Sequence, residues 1–460
     1  KFIRSDFRIL SNFFYKKIGK YWWFLNSSRL DLAPWGIPNE KLFFKDKIIF
    51  ITSLFKLIFL IIKKLITKNS EFDLKNKNIF IFEEFKLNTK LKNVEDYYFK
   101  DISKKTGIKF INLIIGTDLQ NDIKNISIFK LSNKFDVIVI LLKSLWIYFK
   151  FHLIKNKAIL KTKNKFFWNR YQNKNSFLNF YLVNLTYNYF NKCSKNYNSV
   201  IFPYEEKPYE RAININNTSE ENKKKIFAFI INPRDELAIY NENLKFLDIP
   251  RSYNYLFPGI SVAKNFKKKK RKNSLNLKES IVGSPKSTII KKNRYKKYKF
   301  LILISHPNEI PFLINWIKEY SKNNKDRFLL RVYPGANLNN FIKYFDNSKR
   351  IILSKNKSLM HDCKLSKFSV FSNTSAGIEA VNFGLVSLWL DLHPFGISPL
   401  NKNEKNFFFP SNNKTSFIKN LKRFSKLKNQ MFNHYYASQF KVSKNIYSKF
   451  NPKKFKKIIC

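Results

Sequence analysis

From Phe300 onward, short, mainly apolar runs alternate with a segment of helical period. Phe300–Ser305 (FLILIS), Phe328–Tyr333 (FLLRVY), Arg350–Leu353 (RIIL), Phe368–Ser372 (FSVFS) and Val386–Leu390 (VSLWL) each predict a buried strand. Between the first two, Asn308–Tyr320 carries Ile310, Leu313, Ile314 and Ile317 at the spacing that gives a helix one apolar face. Ala376–Phe383 predicts a short helix closed by Gly384. Apolar strands alternating with helices imply βαβ units and a parallel sheet. Ligands bind such sheets beyond the carboxyl ends of the strands. The residues placed there are Ser305-His306-Pro307, Tyr333-Pro334-Gly335, Ser372-Asn373-Thr374-Ser375 and Asp391-Leu392-His393.

The first half is less regular. Asn78–Phe82 (NIFIF), Lys109–Ile115 (KFINLII), Val200–Pro203 (VIFP) and Lys225–Ile231 (KIFAFII) predict strands, the last stopped by Asn232-Pro233. Lys- and aromatic-rich helical stretches lie between them. Lys267–Lys272 (KKKKRK) reads as a solvated linker or loop, because like charges in a run repel one another. At 460 residues the chain is long enough for two domains.

Composition adds a strong bias. The net charge is +55, with 87 Lys and Arg against 32 Asp and Glu. Lys far outnumbers Arg, and Gly is scarce at 10, a usage that suits an AT-rich genome. About half or more of the charge excess is assigned to that drift, and the remainder favours a negatively charged membrane face. The lysines are spread along the whole chain rather than clustered with aromatics, which speaks against a specific nucleic-acid partner. Cys193, Cys363 and Cys460 are scattered, as are the five histidines, so neither a disulfide framework nor a metal site is expected.

Ile48–Ile62 reads IIFITSLFKLIFLII, with Lys45, Lys47, Lys63 and Lys64 around it and Lys56 inside. A spanning helix needs about 20 apolar residues. This run is shorter, so it reads equally as an interfacial helix or as a buried helix of the first domain. Val137–Ile154 is similar and is broken by Lys143 and Lys150. Neither run, nor the start at Lys1, has a cleavage pattern for secretion.

The most informative stretch is Ser372-Asn373-Thr374-Ser375-Ala376-Gly377-Ile378-Glu379-Ala380-Val381-Asn382-Phe383-Gly384. A strand ends in hydroxyl residues and a helix starts at once, which suits a phosphate. Glu379, one turn in, can accept from ribose hydroxyls. Capping by Thr374 or Ser375 is the plainer reading, and the two are compatible. This S-x-T-S-x-G-x-E-A pattern resembles the nucleotide-binding segment of GT-B glycosyltransferases, and more narrowly the capsule and lipopolysaccharide transferases, including sialyltransferase-like and Kdo-transferase-like groups. In those families a strand ending in His-Pro precedes the segment. Here Tyr333-Pro334 holds that place, with Tyr in the position of the His, and Arg331 either supplies the charge or pairs with a nearby acid. A literal His306-Pro307 lies after the first strand of this half, which makes Ser305 and His306 secondary candidates. Tyr204-Glu205-Glu206-Lys207-Pro208-Tyr209-Glu210-Arg211 resembles the acidic Glu-x-x-Pro-Tyr-Glu segment of surface-carbohydrate proteins. Sugar transfer needs a carboxylate to take the acceptor proton or to stabilise an oxocarbenium-like centre. Glu206 and Glu210, four apart, share one helix face and are the candidates. An acidic first helical turn is the bland alternative.

The resemblance implies two Rossmann-like domains facing a cleft, an α/β fold of the GT-B kind. Residues 1–252 would form the acceptor-side domain, 253–423 the nucleotide-sugar domain, and 424–460 a basic tail crossing back or lying on the membrane. The implied activity is metal-independent glycosyl transfer without a cofactor, the nucleotide sugar being a co-substrate. Arg331, Tyr333, Pro334, Ser372, Thr374, Ser375 and Glu379 would hold the donor. The implied partners are that donor, a glycan or lipid-linked acceptor, and the anionic inner face of the cytoplasmic membrane, where the protein would sit peripherally. A teichoic-acid-type polyol-phosphate transferase and a catalytically inactive glycan-pathway or basic binding protein stay open as alternatives.

Overall fold

In the computed structural model, residues 42–67, 74–83, 101–117, 125–159, 177–193, 197–204, 225–231, 254–268, 279–285, 296–304, 309–332, 350–355, 358–372, 374–390 and 413–460 are described, with single positions between them. They form two all-parallel sheets. The first contains β1 (Asn78–Glu83), β2 (Phe110–Ile115), β3 (Asn125–Ser127), β4 (Ser199–Pro203), β5 (Ile226–Phe229), β6 (Asn254–Phe257) and β7 (Glu279–Ile281). Its order is β3-β2-β1-β4-β5-β6-β7. The second contains β8 (Tyr298–Ile304), β9 (Phe328–Val332), β10 (Ile351–Leu353), β11 (Ser366–Phe371) and β12 (Val386–Trp389), in the order β10-β9-β8-β11-β12. Both sheets run outward in one direction from their first strand and then reverse. This is the doubly wound, Rossmann-like topology, present twice as the sequence led us to expect.

The registers follow the burial pattern. Along β8, Phe300, Ile302 and Ile304 join one core cluster while Leu301 and Leu303 join another, so alternate side chains fill opposite faces. A helix α7 (Ile310–Lys322) follows β8 and buries Ile310, Leu313, Ile314, Ile317 and Tyr320 against the second sheet, which includes the apolar face read from spacing. Earlier in the chain lie α1 (Leu42–Ile66), α2 (Ile102–Thr106), α3 (Ile128–Leu131), α4 (Lys134–Ile159), α5 (Phe177–Cys193) and α6 (Ile260–Lys268). Later come α8 (Leu359–Leu365), α9 (Ala376–Asn382), α10 (Lys414–Ser425), α11 (Asn429–Ile446) and α12 (Pro452–Ile459).

Two boundaries differ from the expectation. The change of sheet falls between Ile281 and Tyr298, not near Ser252, because β6 and β7 pair in the first sheet. Of the run Lys267–Lys272, Lys267 and Lys268 end α6, and 269–272 lie outside the described residues. Residues 424–460, expected as a basic tail that crosses back or lies on the membrane, begin inside α10 and cross back. α11 packs on α6, α9 and β12. The chain then runs beside β7, where Ser284 bridges Lys449 and the Asn451 N–H donates to the Val282 carbonyl at 2.9 Å. α12 lies on α2 and buries Phe455 among Phe229, Phe450 and the aromatic core of the first sheet. Gly259 and Gly283 permit this crossing, since a Cβ on either would collide with the backbone of Asn445–Ile446 or Lys449.

Candidate functional site

In the second sheet the strand order reverses between β8 and β11, which pair in parallel from Ser366–Tyr298 to Phe371–Leu303. The crevice at a doubly wound sheet's binding edge opens at that reversal, beyond the carboxyl ends of the two strands. Ser372 follows β11 there and is 2% exposed. Its hydroxyl donates to Glu309 Oε1 at 3.0 Å. Glu309 is 1% exposed and stands at the N-cap position of α7, the helix that follows β8, without a side-chain bond to the helix end. A buried Ser–Glu bond thus ties together the two segments that leave the reversal point. The sequence reading took Ser372 as a donor contact and passed over Glu309, which lies two residues beyond Pro307. Its only signal was an acid standing directly before the apolar face of α7.

The turn from β11 into α9 carries the other candidates. Thr374 Oγ1 accepts from the Ala376 N–H at 3.2 Å, so its hydroxyl serves the turn, as plain capping would have it. Ser375 is the N-cap, is half-buried, and makes no side-chain capping bond to the helix. Glu379 lies one turn along and is half-buried. Gly377 is required by packing: a Cβ there would run into the buried Phe371 ring at the end of β11. The glycine of the S-x-T-S-x-G pattern therefore lets the helix sit close against the strand it follows.

α9 is held from behind by α11. Ser443 Oγ lies 2.9 Å from the Ile378 carbonyl and 3.0 Å from Asn382 Oδ1. Gln439 clamps β12, accepting from the Ser387 N–H at 2.8 Å and donating to the Ser387 carbonyl at 2.8 Å. Ser387 Oγ in turn donates to the Gly377 carbonyl at 2.7 Å. β12 is the edge strand of this sheet, so Gln439 satisfies backbone groups that no neighbouring strand reaches.

Arg331 is committed elsewhere. Its Nη1 lies 2.7 Å from Asp362 Oδ2, and Ser354 Oγ donates to the same carboxylate at 2.8 Å. Asp362 is fully buried in α8 and Arg331 is 16% exposed, so this pair locks β9 and α8 together. Of the two roles open for Arg331, pairing with a nearby acid is the one found. Beside it, burial first and the Asp362 charge second hold the Cys363 thiol well above its usual range, an inert packed cysteine.

In the first sheet the order reverses between β1 and β4. The acidic segment follows β4 at that point, and Tyr204 N–H donates to the Phe229 carbonyl at 2.8 Å as the chain leaves the sheet. Tyr209, Glu210, Ala212 and Ile213 are helical, and Glu210 is fully buried. Glu210 and the hydroxyl candidates Ser372, Thr374 and Ser375 thus each follow a strand at which the order of a sheet reverses. Glu206, Tyr333, Pro334, Ser305 and His306 lie outside the described residues. Among the described residues, no group of His, Cys, Asp or Glu is gathered as metal ligands would be.

No protein-family model and no curated protein matches the chain. Solved structures do. A Methanocaldococcus jannaschii UDP-GlcNAc 2-epimerase in complex with UDP-GlcNAc and UDP is 13% identical, covering 80% of this chain and 98% of that one at a TM-score of 0.45. An E. coli trehalose-6-phosphate protein bound with UDP-2-fluoro glucose is 8% identical over 83% of this chain and 97% of that one, at 0.45. The pneumococcal O-GlcNAc transferase GtfA with UDP and GlcNAc is 12% identical over 60% of this chain and 59% of that one, at 0.41. The chain spans about 59% of the GtfA-containing structures it matches. These likenesses establish neither an activity nor a ligand.

Proposed function

We propose that the protein is a metal-independent glycosyltransferase of the GT-B kind, moving a sugar from a nucleotide-sugar donor to a surface glycan or lipid-linked acceptor. The observation that carries the reading is the reversal point of the second sheet. There the hydroxyl-rich turn after β11 and the start of α7 converge, joined by Ser372 and Glu309. A nucleotide phosphate at that turn would receive the Ser375 hydroxyl, and Glu379 would accept from the ribose. The acceptor hydroxyl attacks the anomeric carbon, the bond from that carbon to the nucleotide phosphate breaks, and the hydroxyl proton passes to Glu206 or Glu210. Oriented donors and basic side chains would stabilise the departing phosphate.

The finer assignments are a sialyl- or Kdo-type donor, capsule or lipopolysaccharide as the product, and a peripheral position on the inner face of the cytoplasmic membrane. They rest on motif order and on charge. Among the described residues no helix is long and apolar enough to cross a membrane. The test is the melting temperature of the purified protein with CMP, UDP, GDP and CDP, followed by a product assay with the sugar donor of whichever nucleotide stabilises it. Release of a polyol phosphate instead of a sugar onto the acceptor would replace this reading with the teichoic-acid-type one. No stabilisation by any of the four would remove the donor site.

A further inference from the structure

α1 and α4 lie side by side and antiparallel. Lys134 Nζ at the start of α4 donates to the Leu65 carbonyl at the end of α1, at 2.7 Å. Toward the other end, Phe50 stacks on Tyr148 with ring centroids 5.2 Å apart and meets Phe149 edge-on at 6.1 Å. Both helices rest on α5, where Phe50 and Tyr148 each contact Phe177. Their inner faces are accounted for, and each helix has an outer face turned to solvent.

Those outer faces are apolar. On α4, Phe135, Val139, Leu142, Trp146, Phe149 and Leu153 recur at steps of four and three and are all exposed, Trp146 and Leu153 at 70%. On α1, Ile51, Phe55, Ile58, Ile62 and Leu65 repeat the same steps, joined by Phe59 at 67%. Exposed Lys56, Lys63, Lys143 and Lys150 flank these stripes. Acidic side chains are nearly missing. Residues 51–67 contain none, and the one in α4, Asp136, is paired with Lys192 at 2.6 Å. A broad apolar face rimmed by long basic side chains is unsuited to water.

We propose that the α1–α4 pair is the face by which the protein docks on an anionic lipid bilayer, its apolar stripes entering the headgroup boundary and its lysines meeting lipid phosphates. The charge favours this occupant: each copy of the chain carries a net +55 and repels a second copy, whereas the lysines beside the stripes are attracted to anionic lipid. The proposal deepens the membrane position suggested above and is independent of the donor site. Its test reads no transfer, so a failure of the glycosyltransferase reading leaves the result intact, and the reverse also holds.

The experiment is sedimentation of the full chain with vesicles of phosphatidylcholine plus phosphatidylglycerol, at low and high salt. The comparison is with Phe55→Ser, Leu142→Ser and Trp146→Ser, single and combined. These side chains are exposed, so the substitutions preserve the fold, and they preserve every charge. Each loss should weaken vesicle partition by roughly tenfold. High salt should weaken wild-type binding and leave an apolar remainder that the combined variant lacks. Equal pelleting of wild type and combined variant, or full release of wild type by salt, would overturn the proposal. So would a wild-type dimer in lipid-free solution that the serine substitutions dissolve, since a second copy would then be the occupant.

Discussion

Arg331 separates two readings of the same residue. If it holds the donor, its loss weakens nucleotide binding and leaves the fold alone. In the structure it neutralises Asp362, a fully buried carboxylate 2.7 Å away. Arg331→Met would leave that carboxylate without its cation. Stripping one partner from a buried pair costs about 3–5 kcal/mol, and the lower end applies because Arg331 is partly exposed. For a unit of this size, 3 kcal/mol corresponds to a drop in Tm of about 6–12 °C. Arg331→Met/Asp362→Leu removes both charges and should recover most of the loss, because an apolar pair of similar volume is close to neutral. The assay is differential scanning calorimetry of wild type, single and double variants, with nucleotide affinity measured in parallel. An unchanged Tm together with lost affinity in the single variant would refute the structural role and return Arg331 to the donor site.

Other consequences follow from the same geometry. Gln439→Leu strips the Ser387 backbone of two hydrogen bonds at a sheet edge, and should lower stability by about 2–4 kcal/mol, read as a shifted urea midpoint. Lys64, buried between α1 and α3 with its Nζ 2.8 Å from the Lys130 carbonyl, has its pKa lowered to about 8, by burial first and then by Lys134 and Lys130. The unfolded chain therefore binds more protons between about pH 8 and the ordinary lysine value of 10.5, so stability should rise across that window, by at most ~3 kcal/mol relative to Lys64→Met. Urea midpoints of the two proteins at roughly pH 7.5 and roughly pH 10 check this, and a constant difference would contradict it. For catalysis, Glu206→Gln or Glu210→Gln should lower turnover by about 10²–10⁴ with donor affinity kept. Near-normal turnover in both would reduce the segment to an acidic helical turn.

The second sheet was largely legible because its strands are buried on both faces. FLILI is apolar without interruption, FSVFS and VSLWL carry only small serines among large apolar residues, and only a strand of that length fits between turn signals. β3, β6 and β7 were missed. Two of them are three residues long (NIS and ESI), too short for any period, and β6 (NYLF) sits before a lysine-rich stretch that reads as a linker. Pairing with neighbours already in the sheet, rather than local pattern, makes them strands. α11 and α12 looked like a basic tail because their lysines mask a few decisive positions. Gln439, Ser443 and Phe455 are buried, and nothing in a single sequence marks them as contacts with residues far upstream. At the site, the motif located the turn after β11, while the tertiary partners of its side chains and of Arg331 have no local signature. Ser372 went to Glu309 and Arg331 to Asp362.

The central claim is that a donor nucleotide binds at the turn between β11 and α9. Calorimetric titration of the stabilising nucleotide into wild type, Ser375→Ala and Glu379→Ala tests it most directly. Both side chains are half-buried beside the reversal point, and both variants should still fold. Each loses one charge-assisted hydrogen bond of about 1.5–3 kcal/mol, so Kd should rise roughly 10- to 150-fold. An unchanged Kd in both folded variants would contradict the account.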